Sequence, residues 1–205
     1  MTKSLTIPRV SGFSELDRFA VTPVDTVCWP DQFPYAPEVT LRIAHDGRAM
    51  LLRFEVTEQN PRAVTLESNG PVWEDSCVEF FVKEPDSRYY CNIETNCVGV
   101  SLAAKRLSRN EFQHFDEARM ARIVRRPSLP KSKTDLGPGS WSLELEVPFD
   151  LICDGPVPPA RLEANFYKCG DKTAVPHFLS WNKVETPSPD FHRPEFFGTL
   201  ILENV

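Results

Sequence analysis

The chain has 205 residues, 41% of them hydrophobic and 25% charged, with 23 Lys or Arg against 29 Asp or Glu for a formal charge of -6. Such a composition excludes a disordered chain, and a length of this order closes a core burying roughly 70% of the extended chain's surface. No run reaches the ~18 apolar residues of a membrane span, and the acidic balance disfavours nucleic acid or another polyanion as partner.

The opening stretch MTKSLTIPRVSGFSELDRF lacks the apolar run of about 7 to 15 residues and the small-residue cleavage site of a secretory signal. The expected location is cytoplasmic as written, or periplasmic or secreted where an export signal has been removed. SELDRF predicts a brief helical turn. In VTLRIAHDGRAMLLRFEV, Val39, Leu41 and Ile43 share one side; after Asp46-Gly47, Leu52, Phe54 and Val56 resume the period, which is a hairpin pattern. DSCVEFFV turns Val78, Phe80 and Val82 toward a core and Cys77, Glu79 and Phe81 to the opposite face. In YYCNIETNCVGVSL, Asn92, Glu94 and Asn96 share one side. The stretch from Pro127 to Gly139 reads as an exposed loop, WSLELEVP and RLEANFYK as strands, PFDLIC as a helical turn, Gly155 to Pro159 as a connector and FFGTLILE as a last strand. The 19 prolines suit loops and strand ends, not central strands. The prediction is all-β: a two-sheet antiparallel sandwich, jelly-roll or immunoglobulin-like, in one domain over residues 1–205.

No Walker or dinucleotide loop, HExxH, GxSxG or CxxC is present. The six cysteines allow disulfides and require none; Cys91 and Cys97 would lie roughly 20 Å apart along a continuous strand, too far to bridge unless it turns. Glu74, Asp75, Glu79 and Glu94 admit a glycosidase reading, in which two carboxylates flank a scissile bond, but equally a set of hydrogen-bonded strand carboxylates. Trp73, followed by Glu74-Asp75, and Trp181, followed by Asn182-Lys183, stand outside ordinary core periodicity, whereas Trp29 and Trp141 fit a core. An indole covers the C–H face of a pyranose while carboxylate, amide and guanidinium groups take its hydroxyls. Arg193 admits two readings, a donor fork that braces a carboxylate or a sugar hydroxyl, and, as the favoured one, a pair with Glu195 that pins the loop before the final strand.

The block WEDSCVEFFV, then YYCNIETNCVG, and the closing WNKVETPSPDFHRPEFFGTLILE resemble carbohydrate-binding module family 9 and its family-9-like relatives over about Leu41 to Glu203. The resemblance implies a β-sandwich that binds mono- or oligosaccharides without catalysis, at the reducing ends of glucans, xylans or related sugars. It implies an aromatic clamp of Trp73 and Trp181 with Glu79 accepting hydroxyl hydrogen bonds, and with Asn92, Glu94, Lys105, Arg106 and Asn182 as polar candidates. No cofactor is required; a structural calcium is admitted, with ligands that do not align. A separate glycoside-processing protein is the implied partner. The alternatives are a small glycoside-processing enzyme and a protein-interaction module with a degenerate sugar site.

Overall fold

The computed structural model describes residues 2–132, 134, 135, 137–155 and 157–205. The hairpin forms as its alternation predicts. Glu38–His45 and Ala49–Glu58 pair antiparallel around a turn in which Gly47 takes φ of 89° and the Asp46 carboxylate accepts from the Arg48 and Ala49 amides at 2.7 and 2.8 Å. Gly139–Pro148 pairs along the other edge of Ala49–Glu58, so apolar side chains line up in rows across three strands: Val39, Val56 and Trp141; Leu41, Phe54 and Leu143; Ile43, Leu52 and Leu145. Each such side chain removed from water contributes about 1.5–3 kcal/mol. Val124–Pro127 and Thr22–Pro23 complete a five-stranded sheet.

The facing sheet has nine strands. Its path runs Ser4–Ile7, Gly198–Leu202, Arg161–Cys169, Cys77–Lys83, Tyr90–Asn96, Ser101–Arg106 and Phe112–His114, with Phe178–Ser180 and Thr26–Val27 added beside Arg161–Cys169. Every pairing is antiparallel except that of Ser4–Ile7 with Gly198–Leu202, which is parallel and departs from the expected uniform pattern. Val78, Phe80 and Val82 are fully buried against the facing sheet's rows, and Phe80 stacks on Phe166 at 5.5 Å. The turns expected at SELDRF and PFDLIC are the 3-10 helix Phe13–Arg18 and the α-helix Phe149–Ile152.

An α-helix over Glu117–Arg122 was not expected; Asp116 caps it by accepting from the Arg119 amide at 2.8 Å. The expected loop from Pro127 to Gly139 is partly paired: Pro127 ends a strand, the Ser128 amide donates to the Ser142 carbonyl at 2.9 Å, and Thr134–Asp135 pairs with Arg62–Ala63. Lys133 and Leu136 of that loop, and Pro156 of the Gly155 to Pro159 connector, lie outside the described residues. All six cysteines are free, and no helix among the described residues is long and apolar enough to cross a membrane.

One polar group bridges the two sheets inside this core. Lys168 Nζ lies 3.2 Å from Glu58 Oε2, 2.7 Å from His177 Nε2 and 2.9 Å from the Cys169 carbonyl, while Trp141 Nε1 donates to Glu58 Oε1 at 2.6 Å. Burial pushes the Glu58 carboxyl up, but the Lys168 charge and the Trp141 hydrogen bond outweigh it and hold the group below its usual value. A buried carboxylate stripped of its cation is expensive. Lys168→Met is therefore expected to cost about 3–5 kcal/mol in urea unfolding, and Glu58→Gln in the same background to recover part of that loss by removing the stranded charge while keeping an acceptor for Trp141.

Candidate functional site

The alternation that sends Phe80 inward sends its neighbours to the opposite face of the nine-stranded sheet. Register then sets the floor of a cavity: Glu79 stands across from Tyr167 on one side and Glu94 on the other, Glu94 from Leu102, Tyr90 from Arg106, and Cys77 from Cys169. The rim comes from connecting segments. The 3-10 turn Val72–Glu74 presents Trp73, which is 37% exposed, and the Asp171 and Lys172 amides donate to the Trp73 and Glu74 carbonyls at 3.2 and 3.0 Å, so the turn is tied to the end of Arg161–Cys169. Opposite, Phe191 stacks on Tyr167 at 4.0 Å and His192 Nδ1 is hydrogen-bonded with the Tyr90 hydroxyl at 3.0 Å. Phe112, 45% exposed, lies 4.2 Å from the Arg106 guanidinium.

The cavity these residues enclose has a volume of about 290 Å³. That is near the lower end of the ~300–1,000 Å³ typical of small-molecule pockets. Its floor is acidic and buried. Glu79 and Glu94 are each 3% exposed. Glu79 accepts from the Cys169 thiol at 3.0 Å; Glu94 Oε1 accepts from the Asn92 amide at 2.7 Å, Asn92 Oδ1 accepts from Arg106 Nε at 2.7 Å, and Arg106 Nη1 donates to the Arg109 carbonyl at 2.9 Å. Glu94 Oε2 is buried with no hydrogen-bond partner among the described residues. Burial, then the charge of Glu94, raises the Glu79 carboxyl well above the usual range, and burial raises Glu94 to about 7. Burial and the neighbouring Glu74 charge raise Asp171 to about 6. His192 is pushed down to about 3 by burial and then by Arg106 and Arg109, so it is a neutral imidazole.

Of the residues expected from sequence, Trp73, Glu79, Glu94 and Arg106 meet at this cavity, and Asn92 links Glu94 to Arg106 behind it. Three others lie elsewhere. Trp181 is not half of a clamp: it is 4% exposed, packs on Phe166 at 5.5 Å, and fills the space above Gly198, where a Cβ would collide with its indole. The reason is periodicity, because Trp181 follows Phe178–Ser180 in phase with buried Leu179, whereas Phe178 is in phase with Cys169 and lines the cavity. Lys105, one residue from Arg106, points to the other face and pairs with Asp154 at 2.9 Å. Asn182 staples loops, accepting from the Lys3 amide and donating to the Phe196 carbonyl, both at 2.8 Å. Asp75, the other carboxylate of the glycosidase reading, is bound by the Arg62 guanidinium and by the Val64 and Thr65 amides.

Arg109, Phe112, His114, Asp171, Phe178, Asp190 and Phe191 also line the cavity and were not singled out as binding residues. Phe178 reaches the cavity through its cross-strand pairing with Cys169, a register that counting along the chain does not give, and the loop residues carry no periodic signal. Arg193 Nε donates to Glu195 Oε1 at 2.7 Å, the loop-pinning pair expected from sequence. One cluster of metal-binding side chains occurs among the described residues, Cys77, Glu79 and Cys169. Two thiols do not suit calcium, which takes oxygen ligands, so this cluster is not the calcium site that the resemblance admits.

One cavity of this β-sandwich is lined by a half-exposed indole and two buried carboxylates, residue types that suit the C–H face and the hydroxyls of a sugar. The chain belongs to carbohydrate-binding family 9, whose model matches residues 11–202. It is similar, at 38% identity and a TM-score of 0.92 over 99% of this chain and 100% of the other, to a candidate carbohydrate-binding protein from Bacteroides uniformis. Two structures of a family 9 module from Caldicellulosiruptor kristjanssonii share the fold at 12% identity. The glucose complex has a TM-score of 0.63 over 99% of this chain and 97% of that one, and the cellotriose complex 0.59 over 99% and 95%. Comparison with curated proteins finds no match.

Trp181→Ala should destabilise the fold by about 3–5 kcal/mol in chemical unfolding, as for a buried large aromatic, while Trp73→Ala should leave the unfolding midpoint nearly unchanged. For Glu94, a folded-state pKa of about 7 above the unfolded value of 4.5 means stability that is present below 4.5 and lost as pH rises through 7. Glu94→Gln avoids that loss, so its melting temperature relative to the parent chain should climb between about pH 4.5 and pH 7 and level off above.

Proposed function

We propose that residues 1–205 act as one domain that binds a mono- or oligosaccharide in this cavity, with the sugar ring lying on the Trp73 indole and its hydroxyls directed to the acidic floor. A pyranose brings an apolar C–H face and a row of hydroxyl donors. The carrying observation is the meeting of an exposed indole with Glu94 Oε2, a buried acceptor whose hydrogen bond no described residue supplies. Glu79 and Glu94 accept from ring hydroxyls, and Arg106, held by Asn92 and by the Phe112 ring, donates. The cavity's volume suits one ring at the floor, with any further ring directed past Phe112 and Trp73 toward solvent. A separate glycoside-processing protein, of the kind family modules accompany, is the partner in this reading.

Titration of intrinsic Trp fluorescence with glucose, cellotriose and a panel of other neutral mono- and oligosaccharides is expected to give saturable binding for at least one of them. Trp73→Ala should lose most of that affinity and Glu94→Gln should weaken it by roughly 10-fold or more, the scale of one hydrogen bond to a charged group. Flat titrations across the panel, or affinity unchanged by Trp73→Ala, would refute the assignment.

A further inference from the structure

The floor of the cavity holds a second kind of chemistry. Cys77 and Cys169 are directly opposed across the antiparallel pair Cys77–Lys83 and Arg161–Cys169, and both are buried. Their thiol sulfurs and a Glu79 carboxylate oxygen all lie within 4.8 Å of one another, with Cys169 Sγ 3.0 Å from Glu79 Oε1. Ligands at tetrahedral corners around a zinc ion with bonds of about 2.3 Å are about 3.8 Å apart, a spacing inside that bound. Beside this triad stands Glu94, the cross-strand partner of Glu79, with Oε2 buried and unpartnered; its charge acts on both Glu79 and the Cys77 thiol.

Two carboxylates stand side by side out of water, and the hydrogen bonds described for them come from a thiol and an amide, neither of them cationic. The nearest guanidinium, Arg106, is engaged by Asn92 and the Arg109 carbonyl. A buried carboxylate pair of this kind calls for a proton or a cation between its members. Sulfur donors decide which cation: thiolate with carboxylate selects a borderline divalent ion such as zinc over calcium or magnesium.

We propose that Cys77, Cys169 and Glu79 form a three-residue binding site for a zinc-type divalent cation, the fourth position being open to a ligand from solution. Binding forms two metal–sulfur bonds and releases the two thiol protons to solvent; no electrons are transferred. Protons compete with the ion for the two thiolates, so occupancy falls as pH drops. The two charges of the ion balance the two thiolates that binding creates, and the ion would tie the start of Cys77–Lys83 to the end of Arg161–Cys169, where Cys169 Sγ lies 3.6 Å from the Trp73 carbonyl oxygen. The inference rests on the thiol–carboxylate cluster alone and stands whether or not a sugar occupies the space above.

The test uses the full chain, reduced and stripped of metal, titrated with cobalt(II) alone and then with zinc(II). The expected result is one cobalt per chain, with a near-ultraviolet thiolate-to-cobalt band and intense tetrahedral visible bands, both erased by zinc. Cys77→Ser and Cys169→Ser should each diminish the thiolate band, and Cys28→Ser, at the half-buried cysteine outside the cluster, should leave it intact. X-ray absorption on the zinc-loaded parent chain needs no variant to fold, and should show two sulfur neighbours at about 2.3 Å. A weak octahedral cobalt spectrum, a thiolate band that survives the loss of both cysteines, or a zinc shell of oxygen and nitrogen alone would each overturn the site.

Discussion

The two-residue period of Cys77–Lys83 is the constraint on which the rest of the structure depends. This strand lies inside the nine-stranded sheet and is covered on both faces, so its side chains serve two environments in strict turn. Val78, Phe80 and Val82 close the core against the five-stranded sheet; Cys77, Glu79 and Phe81 face the other way, and Glu79 among them lines the cavity. A slip of one residue would exchange the two sets, putting a carboxylate against Phe166 and an apolar row beneath the ligand space. The site is thus as well positioned as the core, because the same ladder of hydrogen bonds holds both.

That constraint also explains what could be read from the amino-acid sequence. Alternation identified the rows of Val39, Leu41, Ile43 and of Trp141, Leu143, Leu145, and separated Glu79 from Phe80, because burial acts on one residue at a time along a strand. It left Trp181 misplaced, since the polar residues after it hide that it continues the phase of Leu179 into the core. Lys105 and Arg106 were indistinguishable as neighbouring cations until the strand boundaries showed them on opposite faces. Asp171, Asp190 and Phe191 come from connections whose path is set by tertiary contacts, such as the stacking of Phe191 on Tyr167, and no local pattern announces them.

The polar groups of the molecule are handled in two different ways. Between the sheets, Lys168, Glu58, His177 and Trp141 satisfy one another, which makes the cluster a structural rivet. In the cavity the oxygens of Glu79 and Glu94 outnumber the donors described for them, and Glu94 keeps one in reserve. Both arrangements put charge out of water; only the second leaves it addressed to something from outside the chain. The contrast separates a buried group that serves the fold from one that serves recognition, even though their exposure is the same.

The parallel pairing of Ser4–Ile7 with Gly198–Leu202 has a kinetic meaning. It joins residues separated by nearly the whole chain, and the bond from Arg9 to the Asn204 carbonyl ties the same two regions together. Such contacts raise the contact order, and they cannot form while the C-terminal strand is still to be synthesised. Until then the edge of Arg161–Cys169 that will receive Gly198–Leu202 is open, in the strand that also carries Cys169 and Lys168. Closure of the sandwich is therefore a late, long-range event, and the nascent chain passes through a state whose unpaired edge must be kept from other strands.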